Sequence, residues 1–393
     1  MSQGDAGMPL IFGSPMRDLW KLPPEIDFLN HGSFGATPTD VLHAQRELQD
    51  EMESQPVHFM VDLLPQRLRA AAEDLGAFIG AQGQDLVFVP NATTGVNAVL
   101  RWYALKSGDR VVTTNHVYGA VHNTLKYVCD RAGATLVTVA VPFPIEEPEQ
   151  VLAALRQALE GGARLAVLDH ITSATGLILP IKQMVALCHE YGAEVLVDGA
   201  HAAGQVDLNI EAIGAEWYTG NCHKWLMAPK GCAFLWARND CQEVLPTTIS
   251  HFYADGFTKA FDWTGTQDFS AYLAVREALY FIRYIDAKRI RSRNRGLCQM
   301  AAELLASAWN TRVPSPMRMR GSMATLQLPV HLPPDLEVAK SFHDALWQKH
   351  RIEVPIFPFE HQCWLRISAH IYNDFDQYDR LAAAVLQEAK VFG

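Results

Sequence analysis

Hydrophobic and polar positions follow two different periods from residue 40 to residue 198. Short apolar runs predict five strands, at 85–89, 110–114, 135–141, 165–169 and 194–198. Apolar residues spaced three to four positions apart predict helices between these strands, at 94–105, 119–132, 148–159 and 181–191, and two more before them, at 40–54 and 65–79. Strands that alternate with helices are typical of βαβ units. We therefore expect an α/β fold with a mostly parallel central sheet covered on both faces.

The pattern changes beyond Gly231. A strand at 232–237 and an irregular stretch at 247–268 precede a long helical pattern at 270–294, and the tail from 313 mixes short strands with helices near 338–350 and 376–389. A chain of 393 residues also exceeds the roughly 250–300 residues at which one core stops growing. We expect an N-terminal arm at 1–30, a large domain at 31–285 and a smaller α+β C-terminal domain at 286–393.

Composition and charge exclude several classes of protein. The 43 acidic residues outnumber the 33 Lys and Arg residues, and no basic stripe is present to neutralise phosphates, so nucleic-acid binding is not expected. No apolar stretch approaches the length of a membrane span. The seven cysteines are scattered without the spacing of a metal site, so no metal is expected. Without a secretory signal in the sequence, the expected location is the cytoplasm.

An acid and a lysine carry the first chemical signal. Asp198 closes an apolar strand, and a carboxylate in that place is costly unless a cation pairs with it. Lys224 follows in a turn between strands, with glycines and alanines nearby that leave room for a planar ligand. A lysine Schiff base with an acid on the ring nitrogen is the arrangement that pyridoxal phosphate (PLP) requires. Taken alone, Asp198 is more simply explained as an ordinary acid at a strand end, and Lys224 as a surface lysine.

A second signal lies at 91–97, between a predicted strand and the next helix. Hydroxyl groups and free backbone N–H groups at a helix N-terminus form a phosphate site, here with Thr93 and Thr94. The alternative is a plain helix cap, and both readings are compatible. Neither of the common glycine-rich nucleotide motifs occurs, so nucleotide binding is not predicted.

Three further segments complete the set of motifs: Gly220-Asn-Cys-His-Lys-Trp-Leu226, Asp169-His-Ile-Thr-Ser-Ala-Thr-Gly176 and Leu365-Arg-Ile-Ser-Ala-His-Ile-Tyr-Asn373. With Asp198-Gly-Ala-His201, they resemble the class V aminotransferase family of PLP-dependent transferases of fold type I. This family includes the cysteine desulfurases, and the three segments most resemble its isopenicillin N epimerase-like branch. The resemblance runs from about Phe28 to the C-terminus.

The resemblance implies how the cofactor is held. The cofactor would be pyridoxal 5'-phosphate, bound as a Schiff base by Lys224, with Asp198 on the pyridine nitrogen. Thr93, Thr94 and His223 would contact the phosphate group. These assignments follow from the matching motifs, residue by residue.

The resemblance also implies contacts to the ring and the substrate. Tyr118 would cover one ring face and belong to the catalytic set, with His201 near the ring and Ser173 near its O3′ oxygen. Arg366 would bind the α-carboxylate of an amino-acid substrate, for which a planar guanidinium is the suitable donor.

Three more residues have roles that depend on the resemblance. Thr266 would reach the phosphate site of a partner subunit, which requires a homodimer. Asn30 and His31 would approach the substrate. One family feature is missing, because Cys363 lies only three residues before Arg366 and does not match the nucleophilic cysteine of a desulfurase.

The expected function is a PLP-dependent enzyme that acts at the α-carbon of an amino acid. An isopenicillin N epimerase-like reaction would use Lys224 as base and acid, with Tyr118 or water as the second proton donor. Two enzymatic alternatives use the same carbanion, namely C–S cleavage of the lyase or cysteine desulfurase kind and transamination. The non-enzymatic alternative is a binding protein with this fold. The retention of Lys224, Asp198 and Arg366 argues against it.

Overall fold

The computed structural model describes residues 11–393 and contains twelve strands and fifteen α-helices in that part of the chain. The strands are β1 Asp27–Phe28, β2 Leu86–Val89, β3 Arg110–Thr114, β4 Thr135–Val139, β5 Leu165–Asp169, β6 Glu194–Asp198, β7 Trp217–Asn221, β8 Ala233–Ala237, β9 Met323–Gln327, β10 Ile352–Glu353, β11 Ile356–Phe359 and β12 Gln362–Ser368. The helices are α1 Ser14–Arg17, α2 His31–Phe34, α3 Thr39–Ser54, α4 Leu64–Ile79, α5 Ala92–Trp102, α6 Gly119–Ala132, α7 Glu149–Leu159, α8 Ile181–Glu190, α9 Ile210–Ile213, α10 Phe257–Asp262, α11 Ser270–Leu273, α12 Val275–Ile285, α13 Ala287–Ala308, α14 Leu336–His350 and α15 Asp376–Phe392.

Seven strands form the central sheet, in the order β2-β8-β7-β6-β5-β3-β4. β8 runs antiparallel to its neighbours β2 and β7, and the other neighbouring pairs are parallel. Successive side chains of β6 enter two separate apolar clusters, Val195 and Val197 on one face and Leu196 on the other. The predicted α/β fold with a mostly parallel sheet covered on both faces is confirmed.

A second sheet lies in the C-terminal part of the chain. Its three strands are antiparallel in the order β11-β12-β9. They share an apolar cluster with the three long helices α13, α14 and α15, which contribute Leu297, Phe342 and Tyr378 beside Leu365 of β12. This α+β layer agrees with the predicted fold class. The domain boundary between residues 285 and 286 stays a prediction.

A strand and a helix break are the main differences from the sequence-based expectation. The segment 217–221 is the strand β7, which the apolar pattern did not predict because Thr219, Gly220 and Asn221 are not apolar. The predicted helix at 270–294 is divided, and its main break is at Asp286, where the backbone φ is 84°. The Asp286 carboxylate accepts hydrogen bonds from the backbone N–H groups of Lys288 and Arg289 and so begins a new helix.

The described part of the predicted N-terminal arm, residues 11–30, is anchored to the rest of the protein by several buried residues. The first ten residues of the arm lie outside the described part. Trp20 is buried and donates a hydrogen bond from Nε1 to the Ala36 carbonyl at 3.2 Å. β1 pairs in parallel with β10, and the next residue, Leu29, joins the C-terminal apolar cluster. Among residues 11–393, no helix has both the length and the apolar character needed to cross a membrane.

Candidate active site

A cavity of about 330 Å³ opens at the carboxyl ends of β5, β6 and β7. This is where ligands bind in open α/β sheets, because loops and helix N-termini converge there. Seven of the residues predicted from the sequence line the cavity: Thr93, Tyr118, Ser173, Asp198, His201, His223 and Lys224. Five do not line it: Asn30, His31, Thr94, Thr266 and Arg366.

Asp198 lies at the end of β6 and is almost fully buried. Its Oδ1 accepts a hydrogen bond from the Ala200 backbone N–H at 2.9 Å. Burial raises the pKa of the Asp198 carboxyl, whereas the Ala200 hydrogen bond and the nearby positive charge of Lys224 lower it. A buried carboxyl group of this kind can bind a protonated ring nitrogen.

Lys224 lies three residues beyond the end of β7 and faces the same cavity. Burial, together with the charge of Arg366, lowers the pKa of its ammonium group to about 7, and Asp198 acts in the opposite direction. Its Nζ lies 3.1 Å from Nε2 of His201. Burial also lowers the pKa of His201 well below its usual range, so the imidazole is neutral. Its Nδ1 accepts from Trp225 Nε1 at 3.4 Å, which leaves the ring proton on Nε2, facing the Lys224 amine. A large fraction of Lys224 is therefore an uncharged, nucleophilic amine at neutral pH.

The N-terminus of α5 forms another wall of the cavity. Asn91 caps the helix, because its Oδ1 accepts from the Thr94 backbone N–H at 2.9 Å and from the Thr94 hydroxyl at 3.1 Å. Thr93 lines the cavity instead. Asn221, at the end of β7, accepts from the Ala92 backbone N–H at 2.9 Å and ties the helix to the sheet. Thr94 is thus held in the helix cap, and Thr93 is the threonine that faces the cavity.

Arg366 projects from β12 behind the cavity and is 4% exposed. Its guanidinium donates hydrogen bonds to the Ser173 carbonyl and to the Ser33 hydroxyl. Within the described part of the chain, the Arg366 Nε has no hydrogen-bond partner, and no carboxylate forms an ion pair with the guanidinium. Burial lowers the pKa of Arg366 to about 10, which leaves it charged at neutral pH. A buried cation without a counter-charge favours the binding of an anion.

The aromatic and histidine side chains divide between the cavity and the packing behind it. Tyr118 precedes α6, lines the cavity and is 47% exposed. His223 also lines it, and its Nδ1 bonds the Cys232 carbonyl at 2.9 Å. His31 is buried behind Lys224, where its Nε2 bonds the Lys224 carbonyl at 3.0 Å and its Nδ1 bonds the Tyr372 hydroxyl at 2.7 Å. In this arrangement His31 supports the backbone of Lys224 and has no place in the cavity wall.

The two remaining predicted residues lie outside the cavity. Asn30 donates from Nδ2 to the Glu353 carboxylate at 2.9 Å and accepts from the Ser33 hydroxyl. Thr266 is exposed in the segment between α10 and α11. The roles assigned to them, and to the other site residues, stay predictions.

Several residues that line the cavity had no predicted role, among them Ser33, Phe34, Asp169 and Asn221. Asp169 and Asn221 carry a readable signal, because each is a polar residue at the carboxyl end of a strand, as Asp198 is. Ser33 and Phe34 come from the short helix α2, far away in sequence, and only the packing of the chain brings them here.

Comparisons with known proteins agree with this geometry. The family model for class-V aminotransferases matches residues 34–381. The chain belongs to this family. Among its relatives, an L-cysteine desulfhydrase of Arabidopsis thaliana is 31% identical over 92% of this chain and 87% of the relative. An isopenicillin N epimerase of Amycolatopsis lactamdurans is 30% identical over 95% of this chain and 98% of the relative.

Solved structures give the same fold. A cysteine desulfurase from Thermococcus onnurineus NA1 superposes with a TM-score of 0.79 at 19% identity, over 97% of this chain and 99% of that chain. The cystine C–S lyase C-DES superposes with a TM-score of 0.75 at 20% identity, over 92% and 97% of the two chains. The predicted family, the fold type and pyridoxal 5'-phosphate as its cofactor are confirmed. The protein is thus a PLP-dependent class V enzyme, whose relatives include both desulfhydrases and epimerases.

Proposed function

We propose that this enzyme removes the α-proton of an α-amino acid and cleaves a C–S bond at the neighbouring carbon. The observation that carries the amino-acid substrate is Arg366, a buried cation next to the cavity without a carboxylate partner among residues 11–393. An α-carboxylate would neutralise it through charge-assisted hydrogen bonds. Ser33, which already accepts from Arg366, lines the cavity and connects the two.

The residues of the cavity fit the cofactor. We assign the ring nitrogen to Asp198, the covalent bond to Lys224, and the phosphate to Thr93 with the free N–H groups at the start of α5. His223 is assigned to the phosphate and Ser173 to the O3′ side, both from the cavity wall. Bound in this way, PLP supplies an electron-accepting ring that stabilises negative charge at the substrate α-carbon.

Each protein group then has a limited task. Arg366 binds the substrate carboxylate and fixes the orientation of the α-carbon. Lys224, whose pKa is lowered to about 7 mainly by burial, accepts the α-proton and can return it to the leaving sulfur. His201 is hydrogen-bonded to the Lys224 amine through Nε2 and holds it in place.

Cleavage to free sulfide is the reaction best supported. For cysteine it is L-cysteine plus water giving hydrogen sulfide, pyruvate and ammonia: the Cα–H and Cβ–S bonds break, and water replaces the amino group. Within the described chain no cysteine lines the cavity, and the Cys363 thiol donates to the Pro333 carbonyl instead, so no thiol is positioned to take up the sulfur. The relatives described as L-cysteine desulfhydrases, at 31–33% identity, support the same reaction.

Epimerisation is the second candidate, and Tyr118 favours it. The Tyr118 side chain is half-exposed on the cavity wall. Its hydroxyl can therefore act as a proton donor to the substrate, separate from Lys224. The epimerase relatives at 30% identity support this reading.

One experiment separates these reactions. The holoenzyme is incubated in deuterated water with L-cysteine, an S-alkyl cysteine, L-alanine and L-2-aminoadipate. We expect sulfide and pyruvate in equal amounts from L-cysteine. The Lys224→Ala variant is the control for chemistry that free PLP carries out by itself.

The other outcomes are informative. Formation of the D-enantiomer with α-deuterium, without sulfide, would replace cleavage by epimerisation. Keto-acid formation with conversion of the cofactor to its amino form would indicate transamination. Absence of every product, with a cofactor spectrum that no amino acid perturbs, would contradict the enzymatic proposal and favour a binding protein.

A homodimer completes the proposal. Phe34 lines the cavity and is nevertheless 74% exposed, so part of the cavity wall is an uncovered apolar surface. Met60, Val61, Leu64 and Trp263 line a separate apolar groove. We propose that a second copy covers this surface and that its Thr266 reaches the phosphate site of the first.

A further inference from the structure

Asp169 is a second buried acid at the ring-binding end of the cavity, and the roles assigned above do not use it. It ends β5 as Asp198 ends β6, and the two are register partners in neighbouring parallel strands. Such strands lie about 4.8 Å apart, and register partners project to the same face. Leu165 and Val167 of β5 and Leu196 of β6 enter one apolar cluster, so both carboxyl groups project to the face that α5 and α6 cover.

The two acids have different partners. Asp198 has the Ala200 N–H and the positive charge of Lys224. Asp169 is 3% exposed, and its Oδ2 is buried without a hydrogen-bond partner in the described residues. No ion pair to Asp169 forms there either. A buried carboxylate without a cation to pair with is strongly disfavoured, and the group keeps its proton instead.

Groups on the surrounding elements do not change this conclusion. His170 bonds the Tyr218 hydroxyl at 2.8 Å, and His116 lies between the Thr175 hydroxyl and the Val141 carbonyl. Burial lowers the pKa of both histidines to about 4, so neither is a cation at neutral pH. Burial and the charge of Asp198 raise the pKa of Asp169 well above its usual range, although backbone N–H groups, including that of Tyr118, oppose the change.

We propose that Asp169 is a positioning residue that stays protonated and donates a hydrogen bond to Asp198, so that the two carboxyl groups share one negative charge. This inference rests on the proposed function only in that Asp198 binds the ring nitrogen. The hydrogen bond withdraws charge from Asp198. Asp198 therefore holds the proton of the ring nitrogen less tightly than an isolated carboxylate would.

The test compares three variants of the PLP-loaded protein by the pH dependence of its cofactor absorbance. Asp169→Asn keeps a neutral donor of the same size, and we expect its spectral midpoint within about 0.3 pH units of the wild type. Asp169→Ala removes the donor, and we expect the midpoint to rise by about one unit. Asp207→Asn is the control, because the Asp207 side chain is 93% exposed.

Two results would overturn the assignment. A downward shift of about one unit in Asp169→Asn would mean that an ionised neighbour has been lost. A midpoint unchanged in Asp169→Ala would mean that Asp169 donates nothing to Asp198.

A second measurement, on the cofactor-free protein, keeps this inference separate from the proposed function. A carboxyl whose pKa is raised by folding stabilises the fold at low pH, and this contribution is lost as the pH rises toward its folded pKa. The thermal midpoint of Asp169→Asn relative to the wild type should therefore increase from pH 5 to pH 8. A difference that is constant over this range would contradict a protonated Asp169, whatever reaction the enzyme performs.

Discussion

At the scale of single residues, Arg366 carries the most specific expectation. Replacing it by Gln removes the charge that attracts the substrate carboxylate, and charge-assisted hydrogen bonds contribute about 1.5–3 kcal/mol. We expect KM for the amino acid to rise by about 10–100-fold in Arg366→Gln, while the affinity for PLP stays the same. Steady-state kinetics and cofactor titration measure the two quantities separately.

The control for Arg366 is Ser33→Ala, which removes one hydrogen bond to the guanidinium but leaves its charge. Its KM should change by less than about fivefold. Equal losses of PLP and substrate binding in Arg366→Gln would show that the arginine only supports the fold.

Lys224 gives an expectation about pH. Burial and the charge of Arg366 lower the pKa of its ammonium group to about 7, and only the neutral amine attacks the aldehyde of PLP. The rate at which the cofactor-free protein captures PLP should therefore rise with pH and level off above a midpoint near 7. Stopped-flow absorbance measures this rate. A midpoint above about 9 would mean that the amine is solvated like an ordinary lysine, and Lys224→Ala should show no capture.

Sequence reasoning reached these residues by different routes. Asp198 follows from elementary physics, because an acid that closes an apolar strand needs a cation, and Asp169 could have been found by the same rule. Arg366 has no local signal, since its importance depends on burial beside a cavity built from the other end of the chain. His31 has no local signal either, and the structure places it against Lys224 and Tyr372, so its role toward the substrate stays a prediction.

At the scale of elements, the close contact between α2 and the Lys224 loop can be tested at Gly35. Its φ is 72°, and an added Cβ would lie 2.0 Å from the His223 carbonyl oxygen and 3.0 Å from the Lys224 Cα. Gly35→Ala should therefore displace the loop and weaken PLP binding by at least about tenfold, as a displaced catalytic group does. Cofactor titration and thermal unfolding measure the two effects.

Gly108→Ala is the matched control, because its φ is 87° and an added Cβ there would meet nothing within 4 Å. Both variants carry the strain of a non-glycine residue at positive φ, about 1 kcal/mol. Only Gly35→Ala should also lose the cofactor. Equal PLP affinity in the two variants would show that the loop tolerates the collision.

The elements themselves were predicted where their patterns are regular. The buried strands β5 and β6 and the helix α8 between them follow from apolar runs and helical spacing. β7 was missed because its polar residues are buried by tertiary contacts, such as the Asn221 bond to Ala92 and the Thr219 bond to Phe234. The break at Asp286 was missed because the residues on both sides of it continue the helical spacing.

At the scale of the whole molecule, the site is incomplete in one chain if Thr266 reaches the partner's phosphate site. Val61 lines the apolar groove and is 65% exposed, so a dimer that covers this groove would bury it. Placing a charge there should dissociate the dimer, because a buried unpaired carboxylate is strongly disfavoured. We expect Val61→Asp to be a monomer by light scattering and to bind PLP more weakly than the wild type.

Val391→Asp provides the comparison, because Val391 is 69% exposed on α15, outside the groove. It introduces the same charge at the same degree of exposure and should leave both the dimer and the PLP affinity intact. Thr266→Ala distinguishes dimer formation from PLP binding. It should keep the dimer but weaken PLP binding by about fivefold, which is the effect of losing one hydrogen bond. A monomeric wild type with full PLP affinity would contradict the partner's contribution, and the phosphate site would then consist of Thr93, His223 and the N-terminus of α5 from a single chain.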